Sequence, residues 1–182
     1  MFDLEFLGYG SGIAPELGNN SAMLRDKNGD IILFDCGGTT FTTVHALPSW
    51  KQHAGITILI THTHGDHISG LASLIMSSWF ERHIKPRIVC ANNKEWKLIQ
   101  TILNAQGVPM HAYSMETADR RGRWNEFADP LLTLVYTPTV HVEEIPSYSI
   151  ELYRPEGMIL YTGDTKSLNH VIDLMKSSAK VL

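Results

Sequence analysis

The sequence predicts a single α/β domain over residues 1–182, with helices layered outside its strands. Three observations carry that reading. Short β-type apolar runs alternate with apolar stripes of helical period along the chain. No linker, charge block or low-complexity segment divides them. A length of 182 residues is enough to bury a core without disulfides or a structural metal.

The elements follow in order. Leu4 to Leu7 reads as a first strand and runs into the glycine-rich loop Gly8-Tyr9-Gly10-Ser11-Gly12. A phosphate-cradling loop would lead straight into a helix, whereas Pro15, Gly18, Asn19 and Asn20 follow here, so a turn-rich connection is expected. Ser21–Arg25 and Ile31–Asp35 flank Asn28-Gly29, a hairpin signal. Ile56–Ile60 is a buried strand. Ile68, Leu71, Leu74 and Ile75 share one face of a helix. Arg87–Cys90 reads as a strand, and Asn93 as the cap of a helix carrying Trp96, Ile99 and Leu103 and ending at Gly107. Leu131–Tyr136, Ser147–Leu152 and Met158–Tyr161 are further strands, and Leu168, Val171, Ile172 and Met175 form a last helical stripe.

Composition narrows the function classes. Apolar residues at 43% and charged residues at 19% describe an ordinary globular protein rather than a disordered one. A net charge of −4 disfavours a broad nucleic-acid surface. The basic-aromatic stretch Arg120-Arg121-Gly122-Arg123-Trp124 reads as a solvated loop, with phosphate contact as the alternative. Cys36 and Cys90 lie in apolar contexts and are expected as buried free thiols in a reducing compartment. The N-terminus lacks a signal-peptide pattern and no apolar run reaches membrane-spanning length, so a cytoplasmic location is expected.

The chemistry concentrates in His62-Thr63-His64-Gly65-Asp66-His67, directly after the strand Ile56–Ile60. Imidazole nitrogen and carboxylate oxygen suit Zn²⁺ and similar divalent ions. In extended chain His62 and His64 point the same way and can share an ion. Gly65 permits a sharp turn that presents Asp66 and His67 to a neighbouring position. Packing three imidazoles and a carboxylate into one loop without a cation would cost desolvation. Two further residues suit the same role. His141 and Asp164 each follow a strand, and the diverging oxygens of Asp164 could bridge two ions. His45, His53, His83 and His111 lack a partner pattern and read as surface or satisfied residues.

With these residues the chain resembles the metallo-β-lactamase superfamily, through the His62-x-His64-x-Asp66-His67 loop, His141 and Tyr161-Thr162-Gly163-Asp164. Phe6–Gly12, Asn20-Ser21, Phe34-Asp35-Cys36-Gly37, Gly65–Leu71 and Pro146-Ser147-Tyr148 resemble its ribonuclease Z branch more narrowly. The resemblance implies a metallo-β-lactamase-like αββα four-layer sandwich holding two divalent ions, expected as Zn²⁺ with Mn²⁺ as the alternative. It implies that His62, His64 and His141 hold one ion, that Asp66 and His67 hold the second, and that Asp164 bridges them. It implies hydrolysis of a phosphodiester by metal-activated water, with Asp66 orienting or deprotonating that water. A homodimer is also implied.

Two departures from the family pattern matter. The family supplies a further histidine well downstream of the bridging aspartate, whereas the chain ends at Leu182, and His170 is spaced short for that role. A C-terminal truncation, or a ligand from a partner subunit, is therefore expected, together with a weaker second metal site. The transfer-RNA-processing members carry a long arm between the residues matching His141 and Asp164, and here only 22 residues separate them. Armless phosphodiesterases of the anti-Pycsar type, which degrade cyclic nucleotides, are the better match. The expected function is hydrolysis of small cyclic phosphodiesters. The alternatives are a ribonuclease Z-type tRNA 3′-processing endonuclease acting on RNA, hydrolysis of a thioester or lactam, and a non-catalytic binding protein on the same fold.

Overall fold

A computed structural model describes residues 3–25, 29–52, 54–118, 132–155 and 157–177. The chain divides into two compact units, Met1–Thr117 and Ala118–Leu182.

The first unit is built on a six-stranded sheet in sequence order: β1 (Asp3–Gly8), β2 (Ser21–Arg25), β3 (Ile31–Phe34), β4 (Ile56–Leu59), β5 (Arg87–Cys90) and β6 (Ser114–Thr117). The first two pairings, β1 with β2 and β2 with β3, are antiparallel, and β3 to β6 run parallel. β2, β3 and β4 are almost entirely buried apolar runs, as strands covered on both faces should be. Between the parallel strands the chain crosses over through α1 (Gly38–Ala46), α2 (Gly65–Ile68) with α3 (Leu71–Arg82), and α4 (Asn93–Ala105). The buried cluster joins Met23, Leu33, Ile58, Ile60 and Ile88 to Leu71, Leu74, Ile75, Ile99 and Leu103 of the helices. The apolar stripes foreseen for two helices thus face the core.

Some local expectations differ from what is observed. The single helix foreseen from Ile68 onward is two, because the Gly70 N–H bonds the Cys36 carbonyl at 2.9 Å and breaks the ladder. Asn92, not Asn93, caps α4, its side chain accepting from the N–H groups of Lys94 and Glu95 at 2.9 and 3.2 Å. The glycine-rich loop leads into one short 3₁₀ turn, Pro15–Leu17, as a turn-rich connection and not a phosphate cradle. Both thiols are free and buried. Burial pushes the Cys36 thiol well up and the Cys90 thiol up to about 12, so neither is a thiolate at neutral pH.

The second unit carries a three-stranded antiparallel meander of β7 (Thr133–Thr139), β8 (Ser147–Arg154) and β9 (Gly157–Tyr161), followed by α5 (Asn169–Ser177). In a meander the first and third strands run the same way, so the chain leaves β7 and β9 at the same end of the sheet. The stretch Arg120–Trp124 lies outside the described residues. Among the described residues no helix is long and apolar enough to cross a membrane.

Candidate metal centre

The first set of donors sits at the carboxyl ends of the parallel strands β3 and β4, where ligands collect in sheets of this kind. The Asp35 N–H continues the ladder to the Leu59 carbonyl at 2.9 Å, after which both chains turn out of the sheet. Asp35 is fully buried and holds a left-handed φ of +58°, a conformation that aspartate tolerates better than most residues. Its carboxylate takes three hydrogen bonds. The Thr61 N–H donates to Oδ1 at 2.8 Å, and Oδ2 accepts from the Thr61 hydroxyl at 2.8 Å and from His67 Nδ1 at 2.7 Å.

That wiring fixes which nitrogen of each imidazole carries its proton. With Nδ1–H given to Asp35, His67 keeps its lone pair on Nε2. The Thr61 hydroxyl spends its proton on Asp35 and so accepts from His62 Nδ1 at 3.0 Å, which leaves the His62 lone pair on Nε2 as well. Both rings are buried. A carboxylate behind an imidazole is the usual support of a metal-bound histidine. Neutral imidazoles with oriented lone pairs are the donor form that Zn²⁺ takes.

Spacing agrees with shared ions. His62 Nε2 lies 3.0 Å from His64 Nδ1, and His67 Nε2 lies 3.7 Å from Asp66 Oδ2. Two ligands on one tetrahedral zinc at roughly 2.0–2.1 Å stand about 3.3–3.4 Å apart, close to both distances. Of the segment expected to be extended, His64 has φ −64° and ψ 152°, in the extended region. Gly65 does not make the sharp turn. It opens the helical turn α2, has no positive φ, and a Cβ there would meet nothing within 4 Å.

Two other glycines do shape the site. A Cβ on Gly37 would sit 2.0 Å from the Asp66 carbonyl oxygen, and one on Gly70 would sit 2.2 Å from the Gly37 carbonyl. The loop after β3 and the turn bearing Asp66 and His67 therefore pack backbone against backbone. They are stitched by the Cys36 N–H to the His67 carbonyl at 2.7 Å.

In the second unit, His141 follows β7 and Asp164 follows β9, at the same end of the sheet. His141 Nε2 and Asp164 Oδ2 stand 3.6 Å apart, again a spacing suited to one ion. Gly163 supplies the turn before Asp164 with a φ of +56°. A cleft of about 420 Å³ beside this pair is lined by His141, Glu143, Pro146 and Lys166, among others. The side chain of His170 on α5 lies outside the described residues, as does His53.

The remaining histidines stand elsewhere. His45 pairs with Glu81 at 3.2 Å, His83 ends α3 in the left-handed region, and His111 packs on the Trp79 ring. Among the described residues none of them joins a donor group. Asp35 and Thr61 are what sequence reasoning passed over. Asp35 was legible as part of a motif, but nothing in its spacing revealed that it would align two imidazoles.

These observations define a class, the metallo-β-lactamase fold. YhfI from Bacillus subtilis, a protein of that fold, matches with a TM-score of 0.70 at 13% identity, over 94% of this chain and 66% of that one. The chain belongs, within that class, to the family of the anti-Pycsar protein Apyc1, whose family model matches residues 2–182. The Apyc1 protein of Bacillus phage 010DV004 is 29% identical over 186 residues, covering 94% of this chain and 72% of the relative. A ribonuclease Z of Methanococcus maripaludis is 26% identical over 225 residues, covering 95% of this chain and 70% of the relative. This chain thus spans some seven-tenths of the length of both relatives.

Proposed function

We propose that this chain is a metal-dependent phosphodiesterase that hydrolyses small cyclic phosphodiesters, cyclic nucleotides foremost. The observation that carries the reading is the paired support of His62 and His67 by one buried carboxylate, directly and through Thr61. Such wiring costs a buried charge and a left-handed backbone at Asp35, and a metal-binding role explains both. Family membership favours cyclic nucleotides over other phosphodiesters.

In this reading His62, His64 and His141 hold one divalent ion, Asp66 and His67 hold a second, and Asp164 is shared. Zn²⁺ is the expected ion and Mn²⁺ the alternative. The chemistry that two such ions supply is Lewis-acid, lowering the pKa of water and offsetting charge on phosphoryl oxygens. The chain's own residues do the rest. Asp35 and Thr61 keep the imidazoles in the donor tautomer. Asp66 orients an attacking water and accepts its proton, its carboxylate partly open to solvent beside His67.

The competing reading is tRNA 3′ processing, favoured by the ribonuclease Z relative. Against it, the 22 residues between His141 and Asp164 are largely taken up by β8 and β9, which leaves no length for an arm that grips tRNA. The test is turnover by the metal-loaded protein of 3′,5′-cyclic nucleotides and of precursor tRNA, with His64→Ala beside it. Cyclic-nucleotide opening that is lost in His64→Ala is expected. Cleavage of precursor tRNA alone would overturn the reading, and metal binding without any turnover would favour a binding protein.

A further inference from the structure

We propose that the loop Tyr9–Ile13 is the platform on which the flat, uncharged part of the substrate, its nucleobase, rests beside Asp66 and His67. The inference builds on the reading of the chain as a cyclic-nucleotide phosphodiesterase and assigns a part of that site which the metal donors leave open.

The loop touches the donor cluster. A Cβ built on Gly12 would stand 3.3 Å from the Asp66 Cβ and Cγ and 3.4 Å from its Oδ2, so the Gly12 backbone lies directly against the carboxylate. The next residue, Ile13, is 95% exposed, and Tyr9 at the other end of the loop is 76% exposed. Two large side chains are thus presented to solvent from the loop whose Gly12 lies against Asp66. Single exposed apolar side chains are ordinary, and it is this continuity with the donor cluster that gives the pair a meaning.

The loop is also held in place. Gly10 N–H donates to the Gly18 carbonyl at 2.7 Å, Asn20 N–H to the Gly10 carbonyl at 2.9 Å, and Tyr9 N–H to the Leu17 carbonyl at 3.2 Å. Asn19 then ties the segment to the start of α1, its Oδ1 accepting from Thr39 N–H at 3.0 Å and its own N–H donating to Thr39 Oγ1 at 2.6 Å. A surface ordered before binding loses little conformational freedom when a ligand arrives.

Charge selects the occupant. From Leu7 to Pro15 the chain carries no charged side chain, so this loop has no cationic group to pair with a phosphate. A nucleobase is neutral, flat and partly apolar, and it stacks on an aromatic ring with a gain on the order of tenfold or more in affinity. The phosphodiester would lie toward the donors, and the base over Tyr9 and Ile13.

The experiment compares Tyr9→Ala/Ile13→Ala with the wild-type chain, both loaded with Zn²⁺, since two exposed side chains can be cut back without disturbing the core. Calorimetry reads the affinity of each for a nucleoside 5′-monophosphate and for ribose 5-phosphate, which lacks the base. The wild-type protein is expected to bind the nucleotide at least tenfold more tightly, and the variant to bring that ratio close to one. A wild-type ratio near one, or a ratio kept in the variant, overturns the proposal. Sedimentation of both proteins identifies the rival occupant: if the variant keeps the ratio but loses self-association, the face belongs to a second copy of the chain. Failure of the catalytic reading shows separately, as absent cyclic-nucleotide turnover by the same wild-type sample.

Discussion

Asp35 shows how much rests on one side chain. Its carboxylate takes three hydrogen bonds, and two of the partners, Thr61 and His67, pass its influence to buried imidazoles. In Asp35→Asn the left-handed backbone is still tolerated, but an amide offers one acceptor oxygen where the carboxylate used two. Zinc affinity is expected to fall roughly 10–100-fold with the fold intact. A competitive chelator titration checks this, and unchanged affinity would remove Asp35 from the site. Glu95 gives a prediction of a different kind. It is 4% exposed, one oxygen accepts the Ala91 N–H at 3.0 Å, and the other has no hydrogen-bond partner among the described residues. Burial raises its pKa from 4.5 to about 8, with a smaller push from Asp35. Between those values the folded chain holds a proton that the unfolded chain has released, so stability falls as pH rises through that window and levels off above it. Glu95→Gln is expected to flatten that decline, read as urea midpoints at pH 5 and pH 8. An equal slope in both proteins would contradict it.

At the scale of elements, the loops after β3 and β4 work as one piece because their backbones touch. Gly37→Ala would force its Cβ against the Asp66 carbonyl, 2.0 Å away, and neither group is the loose end of a side chain. A loss of about 1–3 kcal/mol is expected in denaturant unfolding, as for overpacking generally, together with weaker zinc binding at Asp66 and His67. A variant as stable as wild type with unaltered zinc binding would show that the close approach does not matter. The strands were the most legible elements: Ser21–Arg25 and Arg87–Cys90 form as their apolar runs indicate, the second with the β-branched pair Ile88 and Val89. The helix α1 was not legible. Gly38-Thr39-Thr40-Phe41-Thr42-Thr43 is rich in β-branched residues and lacks a strong apolar stripe, so tertiary contacts with α3 and β1 decide its form. β6 escaped notice for a related reason, since Ser114–Thr117 is short and half-buried and gains its place by pairing with β5.

Across the whole molecule, the six residues proposed as metal donors were legible because metal chemistry restricts residue type and spacing together. The loop His62–His67 announces itself, and His141 and Asp164 stand out by following strands. What spacing could not convey is which groups steady the donors, since Asp35 and Thr61 are 26 residues apart and meet only through the pairing of β3 with β4. On the proposed division of ligands, three imidazoles on one ion against fewer donors on the other would make the two sites unequal. Titrating metal-free protein with Zn²⁺ is expected to show one tight and one weaker event, and two equally tight sites in the monomer would refute the proposed division of ligands. The central claim is that these donors run phosphodiester hydrolysis. The most direct test strips the protein with a chelator, restores Zn²⁺ or Mn²⁺, and follows a 3′,5′-cyclic nucleotide to its linear monophosphate. No turnover by the stripped protein and recovery on adding metal is the expected result; turnover that ignores the metal, or none after reloading, would contradict the claim.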